Sequence, residues 1–381
     1  MNKIIVLAAS VSAVAVASPA LAAQPEYIAG QYICQFDASV SPSEVRGRSD
    51  RAAAAVRGTV LHRYDRSIKG FAVKLPNENS MNNPARAMRA QGVSKCEQDQ
   101  IATIDVWPTT KAAGPKGKPG AGGNDPAQTT PYGITRVRGI SNYTGSNVAW
   151  VLDSGIDLDH NDLNVDVARS VSFVRGDAND ENGHGTHVAG TIAAINNGIG
   201  VIGVAPGAKV ISVRVLDRRG SGSYSGIIAG VEHVAANGRA GDVANMSLGG
   251  GYSQALNDAV IAAARTGVIF TLAAGNESTD SNTKSPASAN GTNVYTVSSM
   301  TSSDSWSSFS NYSNPPVDYA QPGSGVYSTY KGGGYATLSG TSMAAPHLAG
   351  VLLANGGRTP ATDGTVRNDP DGNPDPIAVV N

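Results

Sequence analysis

The chain has 381 residues, and its 29 Lys and Arg against 30 Asp and Glu give a formal net charge of −1. This balance argues against a nucleic-acid-binding protein, which would carry a strongly basic surface. The length exceeds that of a usual single domain, and the 45 glycines, which follow no repeat period, predict many tight turns and exclude a collagen.

Residues 1–22 are typical of a secretory signal peptide. Lys3 precedes an apolar run over residues 4–17, and Ala20-Leu21-Ala22 fits the small-x-small pattern of a cleavage site. The alternative is a membrane anchor, but about 14 apolar residues are too few to span a bilayer. We therefore expect a secreted protein (periplasmic if the host has an outer membrane) that has no membrane attachment after export.

Residues 23–104 are predicted to form a first folded unit. Strands are expected over residues 27–36, 60–64, 70–75 and 93–104, and helices over residues 44–56 and 81–91. The order βαββαβ predicts a small ferredoxin-like α+β domain. The two cysteines of the chain, Cys34 and Cys96, lie in its first and last strands, which are neighbours in such a sheet. Since export permits oxidation, we predict a disulfide between them.

Residues 105–126 are rich in Pro, Gly and Lys. Such a segment cannot bury enough apolar surface to offset its chain entropy. We interpret it as an exposed, cleavable linker.

Residues 127–381 alternate short apolar strands with helices. Strands are predicted over residues 148–152, 210–216, 243–247, 268–273 and 294–298, and helices over residues 184–196, 224–237, 254–266 and 342–354. This alternation predicts the α/β class, with a doubly wound, mostly parallel sheet that has helices on both faces. The Pro- and Gly-rich segment 368–376 is predicted to form turns.

Three segments carry residues suited to nucleophilic catalysis: V-L-D-S-G around Asp153, G-H-G-T-H around His184 and S-G-T-S-M around Ser342. A serine hydroxyl becomes a nucleophile when a histidine removes its proton and a carboxylate orients that histidine. Taken singly, Asp153 could cap a turn and Ser342 could cap a helix. His184 and His187 could also share a helix face as a metal pair, but no H-E-x-x-H pattern is present.

Together these segments closely resemble the signatures of the subtilisin-like serine protease family, and the proteinase K-like branch is the nearest. The chain order Asp, His, Ser is also that of subtilisin. The resemblance implies that Asp153 orients His184, which is the general base for the nucleophile Ser342. It also implies that Asn276, in A-A-G-N-E, donates to the oxyanion together with the backbone N–H of Ser342.

The first unit resembles the inhibitory prosegment of the same family at I-K-G-F-A-V-K-L (residues 68–75) and C-E-Q-D-Q-I-A-T-I (residues 96–104). A small unrelated α+β domain is the alternative. The resemblance implies a zymogen whose prosegment is an intramolecular inhibitor. We expect self-processing that begins between Thr103 and Ala113, with later trimming towards Ala127.

The resemblance also implies a set of substrate contacts. One pocket wall is Ser247, Leu248 and Gly249, and the other is Ala273, Ala274 and Gly275. Ser221 and Gly222 belong to an edge strand that pairs with an extended peptide. Tyr224 is an aromatic residue beside a more distant pocket. The small wall residues predict cleavage after large apolar or aromatic residues. Lys284 departs from the uncharged residue usual in this branch, and its ammonium could instead add tolerance for an acidic residue before the cleaved bond.

No cofactor is expected for the chemistry, but the resemblance suggests structural calcium. Asp318 in N-P-P-V-D-Y resembles a ligating aspartate, with backbone carbonyls near Asn290 and Val294 as companions. An ordinary surface aspartate is the alternative.

The sequence therefore predicts a secreted, monomeric serine endopeptidase that is made as a self-processing zymogen and acts on proteins or peptides. One rival is a catalytically silent binding or inhibitory protein whose first unit blocks the second permanently. A metallopeptidase is the other.

Overall fold

A computed structural model of the protein describes residues 25–76, 83–104, 107–108 and 125–381. The predicted signal peptide and most of the predicted linker lie outside these residues.

The strands, in chain order, are β1 (Tyr27–Phe36), β2 (Thr59–Tyr64), β3 (Gly70–Lys74), β4 (Val93–Thr103), β5 (Trp107–Pro108), β6 (Ala149–Asp153), β7 (Val171–Ser172), β8 (Val210–Arg214), β9 (Ser221–Ser223), β10 (Val243–Met246), β11 (Gly250–Gly251), β12 (Ile269–Ala273), β13 (Lys284–Ser285), β14 (Val294–Met300), β15 (Val317–Pro322), β16 (Val326–Tyr330), β17 (Gly334–Ser339), β18 (Ala361–Thr365) and β19 (Pro376–Val379). The α-helices are α1 (Val45–Ala55), α2 (Pro84–Met88), α3 (Tyr132–Arg136), α4 (His184–Ala193), α5 (Tyr224–Asn237), α6 (Gln254–Ala264) and α7 (Thr341–Ala354).

The first unit is an antiparallel sheet in the order β2-β3-β1-β4, with the element order βαββαβ that the sequence predicts. One face of this sheet buries Cys34, Phe36, Phe71 and Val73 against apolar residues of α1 and α2. The other face packs on α5, where the Tyr64 hydroxyl donates to the carbonyl of Ser225 at 2.8 Å.

The large unit is built on a nine-stranded sheet in the order β18-β19-β15-β14-β12-β10-β6-β8-β7. Its pairs are parallel except for the pair between β18 and β19 at one end. Buried apolar clusters cover both faces, one with α5 and α6 and the other with α4 and α7. This arrangement confirms the predicted α/β class with a doubly wound, mostly parallel sheet.

This topology places the carboxyl ends of β6, β10 and β12 side by side. Asp153 ends β6, Ser247 follows β10 and Asn276 follows β12. Ligand crevices in open α/β sheets lie at this edge, because the loops that leave adjacent strands meet there.

The structure contains elements that the sequence analysis did not predict: α3, β5, β7, β11, β13 and β15 to β19. Pro and Asp lie in or beside β15 and β19, yet both strands extend the main sheet. The predicted linker begins with a paired strand, since β5 pairs with Leu338 and Ser339 of β17. That part of the linker is therefore bound along the large unit instead of being free backbone. Among the described residues, no helix combines the length and the apolar character needed to cross a membrane.

Candidate active site

Asp153 and His184 form a buried hydrogen-bonded pair. Asp153 is the last residue of β6 and His184 the first residue of α4, and their side chains are almost inaccessible to solvent. The imidazole Nδ1–H donates to both carboxylate oxygens of Asp153, at 2.8 and 2.9 Å. This contact leaves Nε2 as the ring nitrogen that Asp153 does not bond. Nε2 is buried and has no hydrogen-bond partner among the described residues.

Glycine permits this close approach. A Cβ at Gly185 would lie 2.1 Å from the carbonyl oxygen of Gly155, and Gly155 itself has a φ of 111°. A side chain at position 185 would therefore push α4 away from the strand that carries Asp153.

Asp180 holds the two segments together, and the sequence analysis missed it. Its Oδ1 accepts from the Ser154 hydroxyl at 2.9 Å and from the Gly183 N–H at 2.8 Å, and its Oδ2 accepts from the Thr186 N–H at 3.0 Å. A buried carboxylate that bonds both the turn after β6 and the first turn of α4 positions Asp153 against His184. A lone aspartate in a polar loop carries no sequence signal for such a role.

Ser342 is the second residue of α7 and is 3% exposed. Its backbone N–H lies at the helix N-terminus, where the partial positive charge favours an anion. Its hydroxyl donates to the carbonyl of Ser247 at 3.2 Å, and the Ser247 hydroxyl donates to the carbonyl of Ser342 at 2.8 Å. These reciprocal bonds tie the start of α7 to the end of β10.

Asn276 is fixed beside Ser342 through Thr341. Its Oδ1 accepts from the backbone N–H of Thr341 at 2.8 Å and from the Thr341 hydroxyl at 3.0 Å. Since the carboxamide oxygen is engaged by Thr341, its NH₂ group is directed away from that residue. Asn276 and Ser342 line the same cavity.

The cavity contains most of the predicted wall residues. Its lining includes five of the six expected wall residues, together with Lys284 and Glu277: Thr103, Leu248, Gly249, Gly250, Ala273, Ala274, Gly275, Asn276, Glu277, Lys284, Ser285, Ala287, Thr341 and Ser342. The sixth, Ser247, does not line the cavity and is hydrogen-bonded to Ser342. Tyr224 is fully buried, and its hydroxyl donates to the carbonyl of Gly251 at 2.7 Å.

The last strand of the first unit lies along this cavity. Strand β4 pairs antiparallel with β9, so that Ala102 is opposite Gly222 and Thr103 opposite Ser221. On its other side, Thr103 donates its N–H to the carbonyl of Gly249 at 3.0 Å and accepts from the Gly249 N–H at 3.3 Å. The first unit therefore inserts an extended segment between two backbone edges of the large unit.

Carboxylates strengthen this association at helix N-termini. Asp99 of β4 accepts from the Ser225 N–H of α5 at 3.1 Å. Glu97 accepts from the Ala255 N–H of α6 at 3.2 Å and from the hydroxyl of Ser253. An anion at these positions interacts favourably with the helix dipole. Burial raises the pKa of both carboxyl groups, and their hydrogen bonds oppose that shift.

Two further predictions concern the cysteines and the possible metal pair of His184 and His187. Cys34 and Cys96 are opposite each other in β1 and β4 and form a disulfide with a Cα–Cα distance of 4.0 Å. Among the described residues, His187 belongs to no group of three or more side chains that could hold a metal; its Nε2 is 3.0 Å from the carbonyl oxygen of Val326, and burial lowers its pKa to about 3.

Asp318 lies in β15, apart from the cavity, and its Oδ2 accepts from the Thr296 N–H at 2.8 Å. Burial raises the pKa of Asp318 to about 6. A carboxylate with a high cost of burial is a fitting ligand for a hard cation. However, the described residues contain no group of three or more His, Cys, Asp or Glu side chains that could hold a metal, so calcium stays a prediction.

The chain is similar to several known proteins. The model of the subtilase family matches residues 145–355, which is more than half of the chain. Subtilisin NAT from Bacillus subtilis subsp. natto is 46% identical over 235 residues, which are 59% of this chain and 60% of that protein. Alkaline serine exoprotease A from Vibrio alginolyticus is 40% identical over 346 residues, or 85% of this chain and 60% of that protein.

For one further relative and one solved structure, the match covers a larger share of the other protein's length. The subtilisin-like serine protease AsES of Sarocladium strictum is 36% identical over 320 residues, which are 79% of this chain and 74% of that protein. The crystal structure of a cold adapted subtilisin-like serine proteinase matches with a TM-score of 0.55 at 40% identity, and the match covers 66% of this chain and 98% of that one. The match to subtilisin NAT spans less than two thirds of that protein's length, and the same holds for the Vibrio protein. The chain belongs to the subtilase family.

Proposed function

We propose that the chain is the precursor of a secreted serine endopeptidase that hydrolyses peptide bonds of proteins or peptides. The observation that carries this proposal is the buried bond between Asp153 and His184 on α4, a helix that packs against α7, where Ser342 lines a cavity together with Asn276. The relatives named as subtilisins and serine proteases support the same reaction class.

The mechanism follows from the chemistry of these groups. His184 Nε2 takes the hydroxyl proton of Ser342 as its oxygen attacks the substrate carbonyl, and Asp153 stabilises the imidazolium that results. The amide of Asn276 and the backbone N–H of Ser342 hold the oxyanion of the tetrahedral intermediate. His184 then gives the proton to the leaving amine, and water hydrolyses the acyl-enzyme by the same steps.

We further propose that the first unit is an inhibitory prosegment. Support comes from Thr103, which occupies the strand position between β9 and Gly249 where an extended substrate would bind. A segment held there excludes other peptides until it is cut and released. The proteinase K-like branch and the monomeric state remain predictions. A preference for large apolar residues before the cleaved bond is also a prediction: the small wall residues Gly249, Ala274 and Gly275 leave room for such side chains, whereas the charge of Lys284 in the same wall favours an acidic residue.

The test compares wild type with Ser342→Ala in a host that lacks other proteases. We expect the wild type to separate into a prosegment and a mature fragment, whose amidase activity a serine-directed sulfonyl fluoride abolishes. The Ser342→Ala chain should stay whole, because in subtilisin itself loss of this nucleophile lowers kcat by about 10⁶-fold. Maturation of Ser342→Ala at the wild-type rate would exclude self-processing by Ser342. An intact, inactive wild type would favour the catalytically silent alternative.

A further inference from the structure

A buried cation lies in the wall of the cavity beside Ser342. Lys284 is 9% exposed, and its Nζ pairs with Glu277 Oε1 at 2.9 Å. The other oxygen of Glu277 accepts from Asn311 Nδ2 at 2.6 Å, so both carboxylate oxygens are engaged. An ammonium has three N–H donors, and among the described residues Glu277 is the acidic group paired with it. Lys284 can therefore donate to an incoming acceptor.

Both members of the pair line the cavity, but they differ in the hydrogen-bonding capacity that remains. The Lys284 side chain is 11% exposed and that of Glu277 is 30% exposed, and both Glu277 oxygens are already engaged, by Lys284 and Asn311. A substrate side chain that fills the cavity loses water around its tip. A carboxylate at that tip would accept from the remaining N–H groups of Lys284, whereas an ammonium would be repelled by Lys284 and would find Glu277 already bonded to Lys284 and Asn311.

The backbone register shows which substrate residue reaches this wall. Thr103 and Gly249 are paired antiparallel, so in a substrate peptide bound in the same register the residue two positions after the one at the place of Thr103 would be opposite Ser247, two residues before Gly249. The carbonyl of Ser247 accepts the hydroxyl of Ser342 at 3.2 Å. A peptide bound in this register thus brings the carbonyl of that position next to the nucleophile.

The side chain at that position faces the cavity. Successive side chains of an extended strand alternate between two faces, so positions two apart share a face. Thr103 lines the cavity, and the residue two further along a bound peptide would project to the same side.

The described backbone before and after residues 105 and 106 is held by the large unit. Ile104 donates its N–H to the carbonyl of Gly220 at 3.1 Å. Residues 107–108 pair with Leu338 and Ser339, just before Ser342. The residue two after Thr103 is Asp105, which carries a carboxylate and lies outside the described residues.

From this complementarity we propose that the enzyme selects an acidic residue, Asp or Glu, immediately before the cleaved bond, and that the precursor is cut after Asp105. Lys284 is the specificity-determining residue. This inference rests on the proposed endopeptidase activity and names its substrate class.

The test uses the mature enzyme and quenched peptides that differ only in the residue before the cleaved bond: Glu, Gln, Leu or Lys. Glu and Gln have nearly the same shape, so their kcat/KM ratio reports the charge alone. We expect a Glu/Gln ratio of about 5 or more, the size of one partly exposed ion pair. Lys284→Gln should bring the ratio to about 1, Lys284→Arg should keep it, and Glu277→Gln should raise it. Because each ratio is taken within one variant, it does not depend on that variant's overall rate.

A wild-type ratio near 1, or a ratio that Lys284→Gln leaves unchanged, would overturn the inference. The Leu peptide separates this failure from failure of the proposed function. Hydrolysis of Leu with no Glu preference rejects only the acidic specificity, whereas no hydrolysis of any peptide rejects the endopeptidase. The mass of the prosegment released from wild type supplies the second measurement: an end at Asp105 supports the assigned bond, and an end elsewhere overturns it.

Discussion

The hydroxyl of Ser342 donates to the carbonyl of Ser247 at 3.2 Å and not to His184, whose Nε2 has no hydrogen-bond partner in the described part of the chain. The prosegment strand is bound along the cavity in this state. The Ser342 hydroxyl is thus directed at Ser247, two residues before Gly249, which pairs with Thr103. Transfer of its proton to His184 requires the hydroxyl to turn towards Nε2, which a change of rotamer at Ser342 provides. Catalytic hydrogen bonds of this kind often tighten only when substrate is bound.

Asn276→Asp should separate the two hydrogen-bonding roles of this side chain. An aspartate keeps the acceptor for the Thr341 N–H but lacks the NH₂ donor for the oxyanion. We expect kcat to fall by about 10²- to 10³-fold, the loss known for this donor in subtilisin, while KM changes little. Steady-state kinetics on a single peptide measure both constants.

Thr341→Val is the control for Asn276→Asp. It removes one bond to Asn276 Oδ1 and the bond that the Thr341 hydroxyl accepts from the Gly275 N–H, but it leaves the amide donors of Asn276, so it should lose far less activity. An Asn276→Asp enzyme whose kcat stays within about tenfold of wild type would exclude the oxyanion role.

Glu232 should govern how tightly the prosegment is held. Its carboxylate accepts from three consecutive backbone N–H groups, those of Asp65, Arg66 and Ser67, at 2.7, 2.6 and 2.8 Å. Glu232→Ala removes these acceptors, and about 1–3 kcal/mol of association should be lost. The lag between cleavage of the precursor and the appearance of activity should shorten.

Asp50→Ala is the matched control for Glu232, because its ion pair with Arg63 is exposed and contributes little. It should leave the lag at the wild-type value. A Glu232→Ala lag as long as that of the control would show that the carboxylate does not hold the prosegment.

The Cys34–Cys96 disulfide should be needed for a stable prosegment. It closes a loop with a sequence separation of 62 residues, which corresponds to about 4 kcal/mol in the chain-entropy model. The double variant Cys34→Ala/Cys96→Ala should therefore yield less mature enzyme when Ser342 is present. In the uncut Ser342→Ala background, urea unfolding of its first unit should shift to lower concentration. Detection of two free thiols in the exported, denatured precursor would contradict the disulfide.

Asp318 should make stability depend on pH in a predictable direction. Burial raises its pKa in the folded protein to about 6, above its ordinary value of 3.8. Because the folded state holds the proton more tightly, the contribution of this group is fully present below about pH 4 and is lost as the pH rises through 6. Asp318→Asn, which cannot ionise, should then be more stable than the parent at pH 8 by about 3 kcal/mol, and nearly equal to it at pH 4.

Calcium reverses this expectation if Asp318 is a ligand. With calcium at pH 8 the parent should be stabilised and Asp318→Asn should not respond. The measurement is thermal unfolding of the uncut Ser342→Ala chain and of the same chain with Asp318→Asn. Each chain is measured once with calcium and once with a chelator. Equal calcium responses in both chains would remove Asp318 from the proposed site.

The local elements and the chemical groups were accessible from the sequence, because both depend on neighbours along the chain. The period-two pattern of residues 70–75 predicted β3, and the glycine-rich surroundings of His184 and Ser342 marked turns that lead into helices. Family resemblance then assigned roles that no single motif could carry. Strands β15 and β19 escaped prediction because their pairing partners, and not their own composition, make them strands.

Three relationships were decided only by tertiary structure. Asp180 is an ordinary loop residue until folding brings Ser154 and Thr186 to its two oxygens. The register of Thr103 against Gly249 depends on how one unit docks on another, which no local pattern encodes. Lys284 was visible as an unusual charge, but its enclosure beside Glu277 and Ser342 depends on three separate loops that meet at the carboxyl edge of the sheet. Sequence by itself thus determined which groups are present and which local structures they favour, whereas long-range packing determined which of them meet.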